Sequence, residues 1–157
     1  MLNIDKSVDS MWESYLFFIG ENRNNINKKY STWYFSNNEE DANNLLDLVI
    51  RGEKTGTSSL YYWYTSDNEQ LPRPGEYSII TNWEGIAQCI IKTRKVTILP
   101  FKYVTEEFAI MEGEGDKSLE YWRNVHIKFF TEELKEVGKQ FNEDMNIVYE
   151  EFEVVFK

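Results

Sequence analysis

The sequence predicts an α+β domain in which helices flank a small, curved or closed antiparallel sheet. Helix, strand, helix, several strands, two helices and a final strand follow in order, without the βαβ alternation of parallel-sheet proteins. No internal repeat or low-complexity tract is present. The 157 residues, 41% of them hydrophobic, can form one core but hardly two. Residues 1–157 are therefore predicted to form a single domain, with residues 1 to about 30 as an N-terminal helical extension.

The first third of the chain predicts two helices separated by a short strand. Residues 7–19 carry apolar side chains at helical spacing, and the polar residues 21–30 are expected to form a loop. Residues 32–35 have the aromatic and β-branched side chains typical of a strand. The second helix is expected to begin near residues 36–38 and to end at Gly52, because glycine is favoured just past a helix end.

The middle of the chain carries the predicted sheet. Residues 60–64 are aromatic, but this segment is too short to distinguish a helix from a strand, so its type stays open. Residues 77–81 and 85–93 are β-branched runs joined by a hairpin signature, and a further strand is predicted at residues 96–99. Cys89, the only cysteine, is expected to fill a buried and chemically inert position.

The last third predicts two helices and a closing strand. Residues 104–111 form a short predicted helix, and residues 117–138 a long amphipathic one for which Asp116 is the expected N-cap. His126, the only histidine, lies beside the apolar stripe of that helix, where a core hydrogen bond is the favoured role. Residues 147–156 alternate in polarity as a strand does.

Composition restricts the classes of partner. A formal net charge of -10 argues against strong nonspecific binding to nucleic acid, because the mean field repels phosphates. No apolar run approaches the length of about 20 residues that a membrane span requires. The N-terminus also lacks the basic start and apolar core of a secretion signal. A cytoplasmic location without a membrane partner is therefore expected.

Two glycine-containing polar segments carry the residues best suited to chemistry. Residues 51–59 combine a lysine with several hydroxyl groups, and residues 111–119 place three carboxylates just before the long helix. If the fold joins the two segments, a lysine, a threonine and a carboxylate meet in one cleft. Judged by residue type alone, the first segment is more often a solvated connection between elements. Glu112 and Glu114 would likewise be part of a flexible acidic loop.

Cofactor sites are disfavoured by the same segments. Three nearby acids could hold Mg²⁺ with the help of a phosphate, but calcium-loop spacing and a cluster of cysteine and histidine ligands are both missing. Residues 52–58 also lack the order of glycines and lysine that wraps phosphate in a nucleotide-binding P-loop. No metal and no other cofactor is predicted.

Taken together, the motifs resemble the longer bacterial members of the ASCH domain family. The resemblance covers most of the chain from about residue 33 to the end, and its specificity comes from the combination of motifs in matching order. These motifs are, in chain order, Gly52-Glu53-Lys54-Thr55-Gly56-Thr57, Leu71-Pro72, Gly75-Glu76-Tyr77, Cys89-Ile90-Ile91-Lys92-Thr93, Phe108-Ala109, Glu112-Gly113-Glu114-Gly115-Asp116, Ser118-Leu119-Glu120-Tyr121-Trp122-Arg123, His126 and Phe129-Phe130. The resemblance implies a PUA-like β-barrel with flanking helices, in which residues 61–64 would form barrel wall or stack a base.

The resemblance also implies a choice of functions. Family members are associated with RNA binding, with ribonuclease activity and with an amidohydrolase that removes the acetyl group from N4-acetylcytidine. In that last branch a Lys-x-x-Thr pair and a downstream glutamate are catalytic; Lys54 and Thr57 match the pair, and Glu112 best matches the carboxylate. An amidohydrolase acting on a modified pyrimidine nucleoside is therefore expected. The alternative is a noncatalytic RNA-binding module or a ribonuclease that binds an RNA fragment. The acidic charge favours the nucleoside, which carries no phosphate.

Two divisions of labour within this set stay open. In the first, Thr57 is the nucleophile, Lys54 is a partly neutral base, and Glu112 orients the lysine or moves a proton to the leaving amine. In the second, Glu112 activates a water molecule and Lys54 stabilises the oxyanion. The natural substrate and the oligomeric state also stay open.

Overall fold

One five-stranded sheet organises the computed structural model, which describes residues 5–24 and 27–157. The strands are β1 (Tyr30–Trp33), β2 (Gly56–Leu60), β3 (Tyr77–Thr81), β4 (Ala87–Pro100) and β5 (Asn146–Phe156). The helices are α1 (Lys6–Phe18), α2 (Glu39–Ile50), α3 (Tyr61–Ser66), α4 (Glu106–Glu112) and α5 (Leu119–Lys135), and a 3-10 turn covers Phe101–Tyr103. Part of the loop predicted at residues 21–30 lies outside the described residues.

The sheet is open and mixed, whereas a closed antiparallel barrel was expected. Its strand order is β1-β3-β4-β5-β2, so β1 and β2 are the two edges, and no ladder joins them within the described part of the chain. β1 runs parallel to β3, while the other three neighbouring pairs are antiparallel. The parallel pair is allowed because α2, β2 and α3 lie between β1 and β3 in the chain and supply a long crossover.

β4 replaces two predicted strands with one. Its pairing with β5 shifts register between Ile90 and Ile91 and again between Thr93 and Lys95. The second shift falls at the charged residues that interrupt the apolar pattern, which explains why the sequence predicted a break there. A bulge bends a strand without ending it. β4 therefore continues along β5 as far as Pro100.

β3 separates two layers of core. Ile79 packs in the cluster to which α1 contributes Trp12 and Leu16. Ile80 packs in the cluster beneath α2. Successive side chains of a strand point to opposite faces, so α1 and α2 cover opposite sides of the sheet. Cys89 lies in the second cluster and is fully buried, as predicted, and burial raises the pKa of its thiol to about 12.

α5 covers a third cluster, through Trp122, Phe130 and Leu134. Its N-cap is Ser118, whose hydroxyl accepts from the Tyr121 amide at 3.1 Å. The prediction of Asp116 as the cap was wrong: its carboxylate accepts from the Ser118 amide at 2.9 Å and so stabilises the preceding turn. None of the described helices is long and apolar enough to cross a membrane.

Candidate functional site

A cavity of about 270 Å³ opens between α2 and α5, above the end of α4 and the edge strand β2. Its lining is partly apolar and partly polar, and the polar part combines three carboxylates, a lysine, a histidine, an asparagine and hydroxyl groups. The apolar lining residues are Phe35, Leu45, Leu48, Val125 and Phe129. A concave site in which polar groups converge between apolar side chains is suited to binding a small molecule.

Lys54 reaches this cavity because of the way α2 ends. Gly52, the predicted helix terminator, adopts a φ of +77° and turns the chain out of the helix. The Thr55 amide then donates to the Met111 carbonyl at 2.7 Å. This hydrogen bond fastens the lysine segment to the last turn of α4.

Glu112 is the last residue of α4, and Gly113 allows it to approach Lys54. Gly113 has a φ of +71°, and a Cβ there would lie 2.2 Å from the carbonyl oxygen of Glu53. A side chain cannot occupy that position without moving backbone. The glycine therefore brings the two polar segments together.

Lys54 and Glu112 form a buried ion pair. Their residues are 2% and 1% exposed, and Nζ lies 3.2 Å from Oε1. The other carboxylate oxygen, Oε2, accepts hydrogen bonds from the Ser58 hydroxyl at 3.0 Å and from the Trp122 indole N–H. Burial raises the pKa of Glu112, but the charges of Lys54 and His126 outweigh it and hold that pKa well below its usual range. Glu112 is therefore an ionised carboxylate at neutral pH.

His126 completes the group around Glu112. Its Nδ1 lies 2.8 Å from the Trp122 carbonyl oxygen, which can only accept, so Nδ1 carries a hydrogen. Its Nε2 lies 3.5 Å from Oε1 of Glu112. Burial lowers the pKa of His126, but the charges of Glu112 and Glu114 outweigh it, so the pKa is raised. The predicted core hydrogen bond is confirmed. The contact with Glu112 was missed, although the spacing of Trp122 and His126 puts both on one helix face.

Glu114 lies in the same cavity, whereas a flexible acidic loop was predicted. The turn that holds it is tight, because a Cβ at Gly115 would lie 2.4 Å from the Tyr121 ring. Oε2 of Glu114 is buried and accepts no hydrogen bond from the described residues. Burial raises the pKa of this carboxyl; Lys54 opposes that rise and Glu112 adds to it. The glycines on both sides of Glu114 were the sequence signal for this constrained turn.

Thr57 lines the cavity from β2, a strand that the sequence did not predict. Its register partner is Glu150, whereas Ser58 pairs with Tyr149, so the two hydroxyl side chains point to opposite faces of the sheet. Ser58 donates to Glu112, and no hydrogen bond joins Thr57 to that carboxylate among the described residues. The fold thus brings Lys54, Thr57 and Glu112 to one cavity. Their catalytic roles remain predictions.

A metal ion fits this arrangement poorly. Glu112, Glu114 and His126 bring potential ligand atoms within 4.8 Å of one another. However, the ammonium group of Lys54 already pairs with Oε1 of Glu112 and would repel a cation.

Residues 61–64, which could have stacked a base, are not among the described residues that line the cavity.

Comparison with known proteins identifies relatives over almost the whole chain. The family model described as the ASCH domain matches residues 31–156. The crystal structure of an ASCH domain from Lactobacillus crispatus JV V101 has a TM-score of 0.89 and 38% identity, and the match covers 100% of this chain and 99% of that one. Protein EF3133 from Enterococcus faecalis V583 has a TM-score of 0.86 and 37% identity, over 96% of this chain and 89% of its own.

A more distant structure shares the fold alone. Hypothetical protein PH0355 is 20% identical, with a TM-score of 0.52 over 80% of this chain and 98% of that one. Among curated proteins, none matches the chain.

Proposed function

The chain belongs to the ASCH domain family, which has a PUA-like fold and is generally linked to RNA binding, and we propose that it hydrolyses the exocyclic amide of a modified pyrimidine nucleoside. N4-acetylcytidine is the model substrate. The observation that carries this proposal is the buried Lys54–Glu112 ion pair in a cavity that Thr57 also lines. A buried ion pair of this kind is expensive to desolvate, so a functional reason for it is favoured.

The cavity suits a nucleoside better than a polymer. Its volume of about 270 Å³ is at the small end for ligand pockets. Phe35 and Leu48 on one side and Val125 and Phe129 on the other can enclose a planar base. The net charge of -10 repels phosphates but does not oppose a neutral nucleoside.

The charge arrangement supports specific roles in amide hydrolysis. Attack on the acetyl carbonyl places negative charge on its oxygen, and a preorganised ammonium group stabilises such charge. Lys54 is held as that donor by the ionised carboxylate of Glu112. Both oxygens of Glu112 already face polar partners, which argues against its activating water.

Thr57 is the proposed nucleophile. Its Oγ1 bonds to the acetyl carbon while the bond from that carbon to N4 breaks, and N4 leaves as the amino group of cytidine. The proton lost by the hydroxyl balances the proton that N4 gains. Water then cleaves the threonyl ester and releases acetic acid.

The test is chromatographic measurement of cytidine released from N4-acetylcytidine. Lys54→Ala and Thr57→Ala should each lower kcat by about 10² or more, since each removes a reacting or charge-stabilising group. Glu112→Gln should be nearly as damaging, because it removes the charge that holds Lys54. Lys102→Ala and Thr65→Ala are matched controls on exposed residues and should leave the rate unchanged. Losses in kcat well below tenfold in both Lys54→Ala and Thr57→Ala would contradict these roles.

RNA binding or ribonuclease activity is the alternative function. The general link of the ASCH domain family to RNA binding favours it. Release of no cytidine at any pH, together with tight binding or cleavage of a single-stranded RNA, would favour that alternative over the hydrolase.

A further inference from the structure

Two of the three carboxylates that line the cavity, those of Glu112 and Glu114, have opposite environments. Glu112 is surrounded by Lys54, Ser58, Trp122 and His126, and its charge is fully compensated. Glu114 has one buried oxygen that accepts no hydrogen bond from the described residues. Such divergent pairs are how enzymes assign one carboxylate to charge stabilisation and the other to proton transfer.

From this contrast we propose that Glu114 carries the proton between Thr57 and the leaving nitrogen, an inference that rests on the amidohydrolase function proposed above. Glu114 and Thr57 line the same cavity as the lysine that would hold the oxyanion. The backbone at Glu114 is also held in place, because its carbonyl accepts from the Lys117 amide at 2.9 Å. General acid–base catalysis requires a carboxyl group within reach of the nucleophile, and Glu114 shares the cavity with Thr57 on a backbone that is held in place.

The charges around Glu114 suit this role. Charged groups surround the Glu114 carboxyl on several sides. They are Lys54 in the segment before β2, Glu112 at the end of α4, His126 on α5 and Asp41 on α2. Burial is the largest influence and raises the pKa of Glu114, while the two cations lower it and the two other carboxylates raise it. A carboxyl with a raised pKa is a stronger base than Glu112 and, once protonated, remains a competent acid.

The proton then follows a closed path. Glu114 takes it from Thr57 Oγ1 as the bond to the acetyl carbon forms, and Lys54 holds the resulting oxyanion. The carboxylic acid of Glu114 next donates the proton to N4 as the C–N bond breaks. In the second half, Glu114 removes a proton from the attacking water and returns it to Oγ1, which regenerates threonine and releases acetic acid.

The test is the pH dependence of kcat for N4-acetylcytidine, with affinity for the product cytidine measured separately by calorimetry. Glu114→Gln should lower kcat by about 10²–10⁴ while the affinity for cytidine stays within about threefold of that of the unsubstituted protein. The unsubstituted protein should lose activity as pH falls through the raised pKa of Glu114, because the base must be ionised. That acidic limb should disappear in Glu114→Gln.

A smaller variant and a matched control separate catalysis from structure. Glu114→Ala should regain part of its activity when formate is added, since a small carboxylic acid can occupy the space and move the proton. Asp116→Asn changes an exposed carboxylate of the same turn and should retain the normal rate and pH profile.

The outcomes distinguish this inference from the proposed function. If the unsubstituted protein releases cytidine and Glu114→Gln keeps both its rate and its acidic limb, the role of Glu114 is wrong and the hydrolase stands. Loss of activity together with weaker cytidine binding and no formate rescue would reduce Glu114 to a positioning residue and also overturn the inference. Release of no cytidine by the unsubstituted protein would overturn both.

Discussion

At the scale of single residues, the strongest energetic coupling is expected between Lys54 and Glu112. Lys54→Met removes the cation and leaves an ionised carboxylate in a site that is 1% exposed, so a loss of about 3–5 kcal/mol in the free energy of unfolding is expected. The double variant Lys54→Met/Glu112→Gln removes both charges and should lose clearly less than the sum of the single losses. Urea denaturation of all four proteins measures this coupling.

A surface pair provides the control for that cycle. Lys102 lies 2.6 Å from Asp144, and both side chains are substantially exposed, so Lys102→Met should change stability by less than about 1 kcal/mol. Additive effects at Lys54 and Glu112, or a loss at Lys54 no larger than at Lys102, would show that the ion pair is not the stabilising element.

His126 gives stability its expected pH dependence near neutrality. Its pKa is raised in the folded protein, so its contribution is complete below the ordinary histidine value of about 6.5 and is lost as pH rises through the folded value. His126→Gln should reduce that decline, and because this is the only histidine, no other imidazole contributes to the difference. Urea midpoints measured from mildly acidic to mildly alkaline pH test it. Parallel pH profiles for both proteins would refute the linkage.

The role of a single residue was predictable from the sequence where its neighbours in the chain determine that role. Gly52 ends a helix and Cys89 fills an apolar strand position, and both roles follow from neighbouring residues. The polar segments nominated Lys54 and three carboxylates, from which only the resemblance selected Glu112, since the contact with Lys54 depends on how distant segments dock. Glu114 was predicted to lie in a flexible loop, because the sequence does not show that the Tyr121 ring packs against Gly115 and constrains this turn.

At the scale of elements, the junction of α4 with the lysine segment depends on Gly113. Gly113→Ala meets two penalties: a φ of +71° and a Cβ at 2.2 Å from a backbone carbonyl oxygen. Gly138→Ala meets only the first, since Gly138 has a φ of +72° and nothing within 4 Å. Gly138→Ala should lose about 1–2 kcal/mol of stability, and Gly113→Ala clearly more together with most activity. Urea unfolding and cytidine release measure both effects, and equal losses would contradict the close approach.

Element prediction failed where a strand is polar or bent. β2 reads Gly-Thr-Ser-Ser-Leu, and as an edge strand it needs little apolar sequence to be held by β5. Gly56 is required there because a Cβ would lie 2.2 Å from the Tyr149 hydroxyl oxygen. That constraint comes from a partner strand far along the chain, so local patterning does not reveal it.

At the scale of the whole molecule, the α+β class was predictable and the closure of the sheet was not. Helix and strand content follows from periodicity, and three of the four strand pairs are antiparallel, as expected. The parallel pairing of β1 with β3 places a second edge strand where a barrel would have closed. Such a pairing depends on the crossover between distant strands, which the periodicity of the sequence does not predict.

The net charge of -10 offers a final test of what enters the cavity. Binding of a neutral nucleoside releases no condensed counterions, so the KM for N4-acetylcytidine should change less than about twofold between about 50 and 200 mM salt. A single-stranded RNA held through six or more phosphates would lose affinity by a factor on the order of 10²–10³ or more over that range. Measuring both ligands on the same protein separates them, because denaturation or loss of the site would weaken both alike. A steep salt dependence confined to RNA, with binding tighter than that of the nucleoside, would show that a local basic surface overcomes the acidic mean field and would favour the RNA-binding function.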